Sequence, residues 1–146
     1  MMRSVKSCQL YLKTVRFLYI VLFVYTAVSK LINIEQFQFR LERFPFISTH
    51  AVWITWGIPI LEILIAALFL FPKYTILALY SSLSLMSVFT IYILSVLKFG
   101  DSIPCSCGGV VSAMGWKEHI FFNGVFIAFS LIGILIIQNQ KKTTNK

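Results

Sequence analysis

The chain has 146 residues, 58% of them hydrophobic and only 12% charged, with a formal net charge of +8. Soluble domains carry about 25% charged residues, so this composition excludes an ordinary water-soluble globule, and a mean hydropathy of +0.84 points to lipid. The length allows one small domain. The positive charge does not point to nucleic acid, because it sits mainly in the two tails, at Arg3, Lys6, Lys13 and Arg16 and at Lys141, Lys142 and Lys146. Basic ends around apolar spans are orientation signals.

Residues 1–13 form a basic N-terminal segment, followed by an apolar run over 14–32. A basic start, an apolar core and Ala27-Val28-Ser29 also fit a cleaved signal peptide, but the run is long for such a core, and a retained first span is the expectation. Lys30 closes this span. It either pairs with an acidic group or snorkels to the surface, and snorkelling is the expected arrangement. Residues 33–46 mix Phe37, Phe39, Leu41, Phe44 and Phe46 with Glu35, Arg40, Glu42 and Arg43. The mixture reads as an amphipathic segment at the membrane surface, or as a loop with apolar anchors.

The second run spans 51–71 and holds Pro59 and Glu62. An ionisable residue at mid-span costs at least about 2.5 kcal/mol, so Glu62 is a candidate proton relay or quinone-binding group. The alternative is a neutral carboxyl that ties helices together. Pro59, with no N–H, leaves a carbonyl unpaired and bends its helix. Phe71-Pro72-Lys73-Tyr74 is too short for anything but an antiparallel turn into the third run, 74–97. The fourth run covers 118–137, and a basic tail follows over 138–146. Each run has the roughly 20 residues needed to cross a ~30 Å hydrocarbon core. Four of them in so short a chain leave no polar chain to bury them. The expected fold is an all-α, four-transmembrane-helix bundle over 14–137 with a short interfacial segment after its first helix.

Eight of the 13 Lys and Arg residues fall on the side of the termini and Lys73, and five on the other side. This bias predicts a cell-membrane protein with both termini cytoplasmic and residues 98–116 extracytoplasmic.

That last connection carries Pro104-Cys105-Ser106-Cys107-Gly108-Gly109. Neighbouring cysteines in an oxidising compartment form disulfides. Here the ring is so small that the bond is strained and therefore labile, suited to exchange rather than to bracing. Cys105 and Cys107 are the candidate catalytic dithiol. A structural disulfide is the alternative. Metal ligation with His119 or His50 is weaker, because two cysteines supply only half of a closed zinc site, and no metal is expected. Cys8, on the opposite side, is expected to be a free thiol or a palmitoylation site. Trp116, His119 and Asn123 follow at helical spacing on one face of the fourth span. His119 is placed to move protons or to favour a thiolate. Otherwise the three form an interfacial anchor with interhelical hydrogen-bonding groups.

Ser29-Lys30-Leu31 with Phe37, then Pro59-x-x-Glu62, then Pro104-Cys105-Ser106-Cys107-Gly108 with Trp116 and Asn123, resemble the MauE/DoxX group of redox-associated membrane proteins in order and spacing over residues 14–137. The resemblance implies a four-helix membrane bundle. For the MauE branch it also implies a part in methylamine utilisation, supporting maturation of the disulfide-rich small subunit of methylamine dehydrogenase. DoxX relatives are linked to quinone-coupled sulfur oxidation. The resulting expectation is a membrane thiol-disulfide protein, with a lipid-soluble quinone as candidate electron carrier. Its partner would be an exported thiol-containing client or a thioredoxin-like protein. A non-catalytic assembly or chaperone factor is the second reading. A proton-coupled transporter centred on Glu62 is the third, for which four short spans offer little room unless the protein oligomerises.

Overall fold

A computed structural model describes residues 2–42, 48–99 and 116–144. Five α-helices account for nearly all of them: α1 Met2–Ile32, α2 Ile34–Glu42, α3 Ala51–Leu70, α4 Thr75–Phe99 and α5 Trp116–Thr144. Among the described residues there is no strand, and four stretches are long and apolar enough to cross a membrane: Lys6–Ile32, Ser48–Leu70, Pro72–Ser95 and Lys117–Gln140. The all-α four-span architecture expected from composition is therefore the one observed.

The bundle runs up-down-up-down. α1 packs chiefly along α3, and α4 along α5, so the molecule is two antiparallel helix pairs joined along a seam. Pro72–Tyr74 forms one 3-10 turn between α3 and α4, with the Thr75 hydroxyl bonded to the Pro72 carbonyl at 2.9 Å. Both chain ends and this turn lie at one end of the bundle. The α1–α2–α3 connection and the facing ends of α4 and α5 lie at the other.

The outer helices overshoot their expected spans. α1 starts at Met2 and has 31 residues, and α5 has 29. At 1.5 Å per residue each exceeds a ~30 Å apolar core by about 14–16 Å. The Tyr11 hydroxyl, just ahead of the expected first span, donates to the Phe129 carbonyl at 3.1 Å and so ties the third turn of α1 to α5. Arg16, inside the first apolar run, is half-buried and caps α3. Its Nε and Nη2 donate to the Phe69 carbonyl at 2.9 and 2.7 Å, and Nη2 also reaches the Leu70 carbonyl at 3.1 Å. The last carbonyls of a helix have no intrahelical donors, and a guanidinium supplies them.

Residues 33–46 resolve into α2 as far as Glu42; Arg43 to Phe46 lie outside the described residues. α2 is amphipathic, with Leu41 buried, Ile34 and Phe37 half-buried, and Glu35, Gln36 and Glu42 exposed. One face rests on α3, and Gln38 donates to Glu42 at 2.8 Å on the outer face. An amphipathic helix, and not a loop with apolar anchors, therefore follows α1.

Within the α4–α5 pair, Gly133 allows close approach. A Cβ there would stand 3.0 Å from Leu79 Cδ1 and 3.7 Å from Leu12 Cδ2. Small residues at helix crossings serve this purpose in membranes. Gly133→Val should destabilise the bundle by about 1–3 kcal/mol through overpacking. A denaturant titration in detergent that shows no loss would remove the glycine's packing role.

Candidate functional site

The core is layered, and the layers can be read off each spanning helix in turn. Nearest the chain ends lies a hydroxyl layer. The Tyr19 hydroxyl has one proton. It donates to the Phe126 carbonyl at 2.5 Å and accepts from Ser130 Oγ at 2.6 Å. Ser82 Oγ stands 3.2 Å from Ser130 Oγ and donates to the Leu79 carbonyl at 3.0 Å. The Tyr19 ring stacks on Phe69 with centroids 5.0 Å apart. Tyr19 thus touches α3 and α5 directly and α4 through the Ser130–Ser82 pair.

One helical turn further on, each helix contributes a buried apolar side chain to a common cluster: Phe23, Ile65, Met86 and Phe126. Beyond this apolar layer lies a second polar layer, nearer the end where α4 and α5 receive the connection over residues 100–115. It contains an ion pair. Lys30 Nζ meets Glu62 Oε1 at 2.6 Å, with side chains only 17% and 6% exposed. The same ammonium lies 5.3 Å from the centre of the Phe89 ring on α4, a favourable cation–π placement. Asn123, buried on α5, donates to Thr90 Oγ1 at 3.3 Å, and Thr90 Oγ1 donates to the Met86 carbonyl at 2.8 Å. Thr26 on α1 stands beside the Glu62 carboxyl. His119, half-buried one turn before Asn123, is within electrostatic range of Lys30.

Lys30 corrects one expectation. It does not snorkel outward but turns back into the bundle to pair with Glu62. The cause is helix direction. Side chains tilt toward their helix N-terminus, and Lys30 is two residues from the C-terminal end of its span. Its tilt therefore points into the membrane, where Glu62 waits on α3. Pairing satisfies only half of the carboxylate, since Glu62 Oε2 is buried with no hydrogen-bond partner among the described residues. Pro59 lies fully buried one turn before it. Having no N–H, it leaves the Thr55 carbonyl without its helical donor.

Of the residues singled out in the sequence, the fold brings Lys30 and Glu62 into contact and sets Asn123 and His119 on α5 at the same end of the bundle. Trp116 opens α5. Cys105 and Cys107 lie outside the described residues, in the sequence that connects α4 to α5, whose facing ends lie at the same end of the bundle. Cys8 is a free, half-buried thiol on α1, toward the opposite end. Among the described residues no three His, Cys, Asp or Glu side chains form a metal-binding group. Nothing in the sequence marked Thr26, Phe89 or Thr90, whose hydroxyls and ring are ordinary content for a membrane helix. Helical spacing of Thr90 against Asn123 becomes a signal only once α4 and α5 are known to be antiparallel neighbours.

Chemically, the second polar layer is an ion pair with a spare carboxylate oxygen, an amide and an imidazole on the side toward the connection. It can hold and pass protons, and it can hydrogen-bond a small polar head group. A protein-family model described as methylamine utilisation protein MauE matches residues 8–136. No curated protein and no solved structure matches.

Proposed function

The chain belongs to the MauE family, and from that membership we propose that this multi-pass membrane protein supports thiol-disulfide exchange during maturation of an exported partner. The observation that carries the proposal is the Cys105-Ser106-Cys107 pair in the sequence that connects α4 to α5, two helices whose facing ends lie toward the layer of Lys30, Glu62, Asn123 and His119. With both termini cytoplasmic, as the Lys and Arg bias favours, that end faces an oxidising compartment, where a strained disulfide is a donor rather than a brace.

In the proposed reaction a client dithiol attacks the Cys105–Cys107 disulfide. A mixed disulfide forms, the second client thiolate displaces it, and the client leaves oxidised while both cysteines leave as thiols. A thioredoxin-like protein is the alternative partner at the same sulfurs. A lipid-soluble quinone fits the role of final oxidant, because the Asn123 amide N–H, and Glu62 Oε2 when it carries a proton, can donate to its ring oxygens inside the membrane. When bound it would supply two-electron oxidation. Methylamine metabolism, through the small subunit of methylamine dehydrogenase, is the setting that the family description suggests for the client.

Thiol trapping on membranes tests the reading. A mass-tagged maleimide should label Cys105 and Cys107 after reduction and miss both after oxidation, in a Cys8→Ser background. The Cys105→Ser/Cys107→Ser variant should lose client maturation. If the pair never changes redox state and the double variant keeps full function, the exchange reading falls. Co-purification of the client with that variant would then assign a non-catalytic assembly role.

A further inference from the structure

The order of the layers bears on where protons travel. In each spanning helix a buried apolar side chain separates the two polar layers: Phe23 between Tyr19 and Thr26, Ile65 between Glu62 and Phe69, Met86 between Ser82 and Thr90, and Phe126 between Asn123 and Ser130. All four belong to one contiguous cluster. Protein interiors of this kind are packed to near-crystalline density, with few voids that could hold water. Polar groups in the Tyr19 layer therefore have no hydrogen-bonded path to Glu62. On its other side Glu62 pairs with Lys30 and stands beside Thr26, both on α1; Lys30 in turn lies over Phe89 of α4 and within electrostatic reach of His119 of α5, and Asn123 of α5 bonds Thr90 of α4. Among the described residues Lys30 is the charged group paired with Glu62, and His119 is the titratable group within electrostatic reach of Lys30. His119 is one helical turn from the start of α5 and one turn before Asn123, so along α5 it lies between the connection and the polar layer.

We infer that Glu62 is a proton-exchanging carboxylate with access only from the end of the bundle that carries Cys105 and Cys107, through His119. The unpartnered Oε2 is the atom that takes the proton. Oε1 stays on the Lys30 ammonium, so the neutral ion pair becomes a site of net charge +1 while the proton is held. This rests on the thiol-exchange reading for its use, though not for its existence. In exchange the attacking thiol must lose its proton to become the thiolate nucleophile, and the displaced thiolate must gain one. Glu62 holds that proton in transit. The bonds balance without any further oxidant: one S–S bond breaks, one forms, and one proton moves from the attacking sulfur to the departing one. Access from one side only also means that Glu62 moves no proton across the membrane, which separates this site from a proton-coupled transporter.

The test reads Glu62 itself. Dicyclohexylcarbodiimide, which partitions into lipid, couples to protonated carboxyls buried in membranes. Protein reconstituted in phosphatidylcholine–phosphatidylglycerol vesicles, its orientation assigned by proteolysis of the C-terminal tail, is labelled with the pH set separately on each side. Mass spectrometry locates the adduct, with Glu62→Gln as blank. Adduct at Glu62 should rise as the Cys105/Cys107 side is acidified, by up to about tenfold per pH unit, and stay level when only the opposite side is acidified. Labelling that follows the opposite side, both sides or neither overturns the inference. His119→Gln should slow the response to a pH step on the cysteine side, and an unchanged response would remove His119 from the path. The same labelling in Cys105→Ser/Cys107→Ser protein keeps the two readings apart. One-sided labelling with inert cysteines leaves the proton site standing and the exchange reading fallen. Active exchange with unsided labelling does the reverse. In wild type, Glu62→Gln should lower the rate of exchange with a small aromatic disulfide and flatten its pH dependence, whereas a merely structural residue would lower the rate at all pH values alike.

Discussion

Lys30→Met is expected to destabilise the folded bundle by about 3–5 kcal/mol, the usual result of removing one partner from a buried ion pair. The pair is shielded, with the Lys30 and Glu62 side chains 17% and 6% exposed and 2.6 Å between Nζ and Oε1. Without the ammonium, Glu62 has two poor options. It stays ionised in an apolar surround, or it takes up a proton and still lacks a hydrogen-bond partner at Oε2. The loss also removes the cation over the Phe89 ring, a contact between the α1–α3 pair and the α4–α5 pair. The double change Lys30→Met/Glu62→Leu should recover most of the stability, because well-packed apolar groups replace buried ion pairs at little cost. Unfolding by sodium dodecyl sulfate in mixed micelles, followed by circular dichroism, measures all three proteins. A single variant as stable as wild type would mean that the pair contributes nothing. A double variant no better than the single would mean that Lys30 acts by packing alone. The recovered variant should have no proton-exchanging site, so stability and proton handling can be separated in one set of proteins.

Much of this architecture is legible in the sequence because the membrane imposes it. A helix must bring about 20 apolar residues to span hydrocarbon, and backbone groups in lipid must bond within the helix. Ala51 and the Phe71–Tyr74 turn therefore mark the boundaries of α3 closely. The ends of α1 and α5 are less legible, since outside the lipid a helix continues as long as packing supports it, and the Tyr11–Phe129 bond is invisible before the fold is known. The functional residues divide in the same way. Glu62 declares itself because any carboxyl at mid-span is anomalous. Lys30 does not, because its direction depends on which end of a helix it occupies and on what lies opposite. Tyr19, Ser82 and Ser130 are silent in sequence, being common in membrane helices, and acquire meaning only when α1, α4 and α5 meet. The resemblance to the MauE group rests on the order and spacing of motifs that include Lys30, Glu62 and Asn123, without their contacts, and the family match over residues 8–136 bears out that membership. The chemistry at Cys105 and Cys107 rests on the sequence pattern alone.

Tyr19→Ala should cost about 3–5 kcal/mol, the range for truncating a large buried aromatic, while Tyr19→Phe should cost only about 1 kcal/mol. The difference follows from what each change removes. The ring is fully buried, stacked on Phe69 at 5.0 Å and on Phe23 at 5.7 Å, with Phe126 edge-on at 5.3 Å. Alanine deletes all three contacts and opens a cavity where three spanning helices meet. Phenylalanine keeps the rings and loses only the hydroxyl. Ser130 can then turn its proton to Ser82 Oγ, 3.2 Å away, so no donor is stranded. Interhelical hydrogen bonds in membranes contribute about 0.6–2 kcal/mol, which sets the smaller figure. The same micelle titration resolves the two. Equal losses for Phe and Ala would place the stabilisation in the hydrogen bond and not in the aromatic stack. The pair of variants also bears on the proton site, because Tyr19 lies on the far side of the Phe23–Ile65–Met86–Phe126 layer. Tyr19→Phe should leave the sidedness of Glu62 labelling unchanged. Tyr19→Ala, by loosening Phe23 and Phe126, should make Glu62 respond to acid from both sides, because the apolar layer is a barrier only while its side chains stay packed.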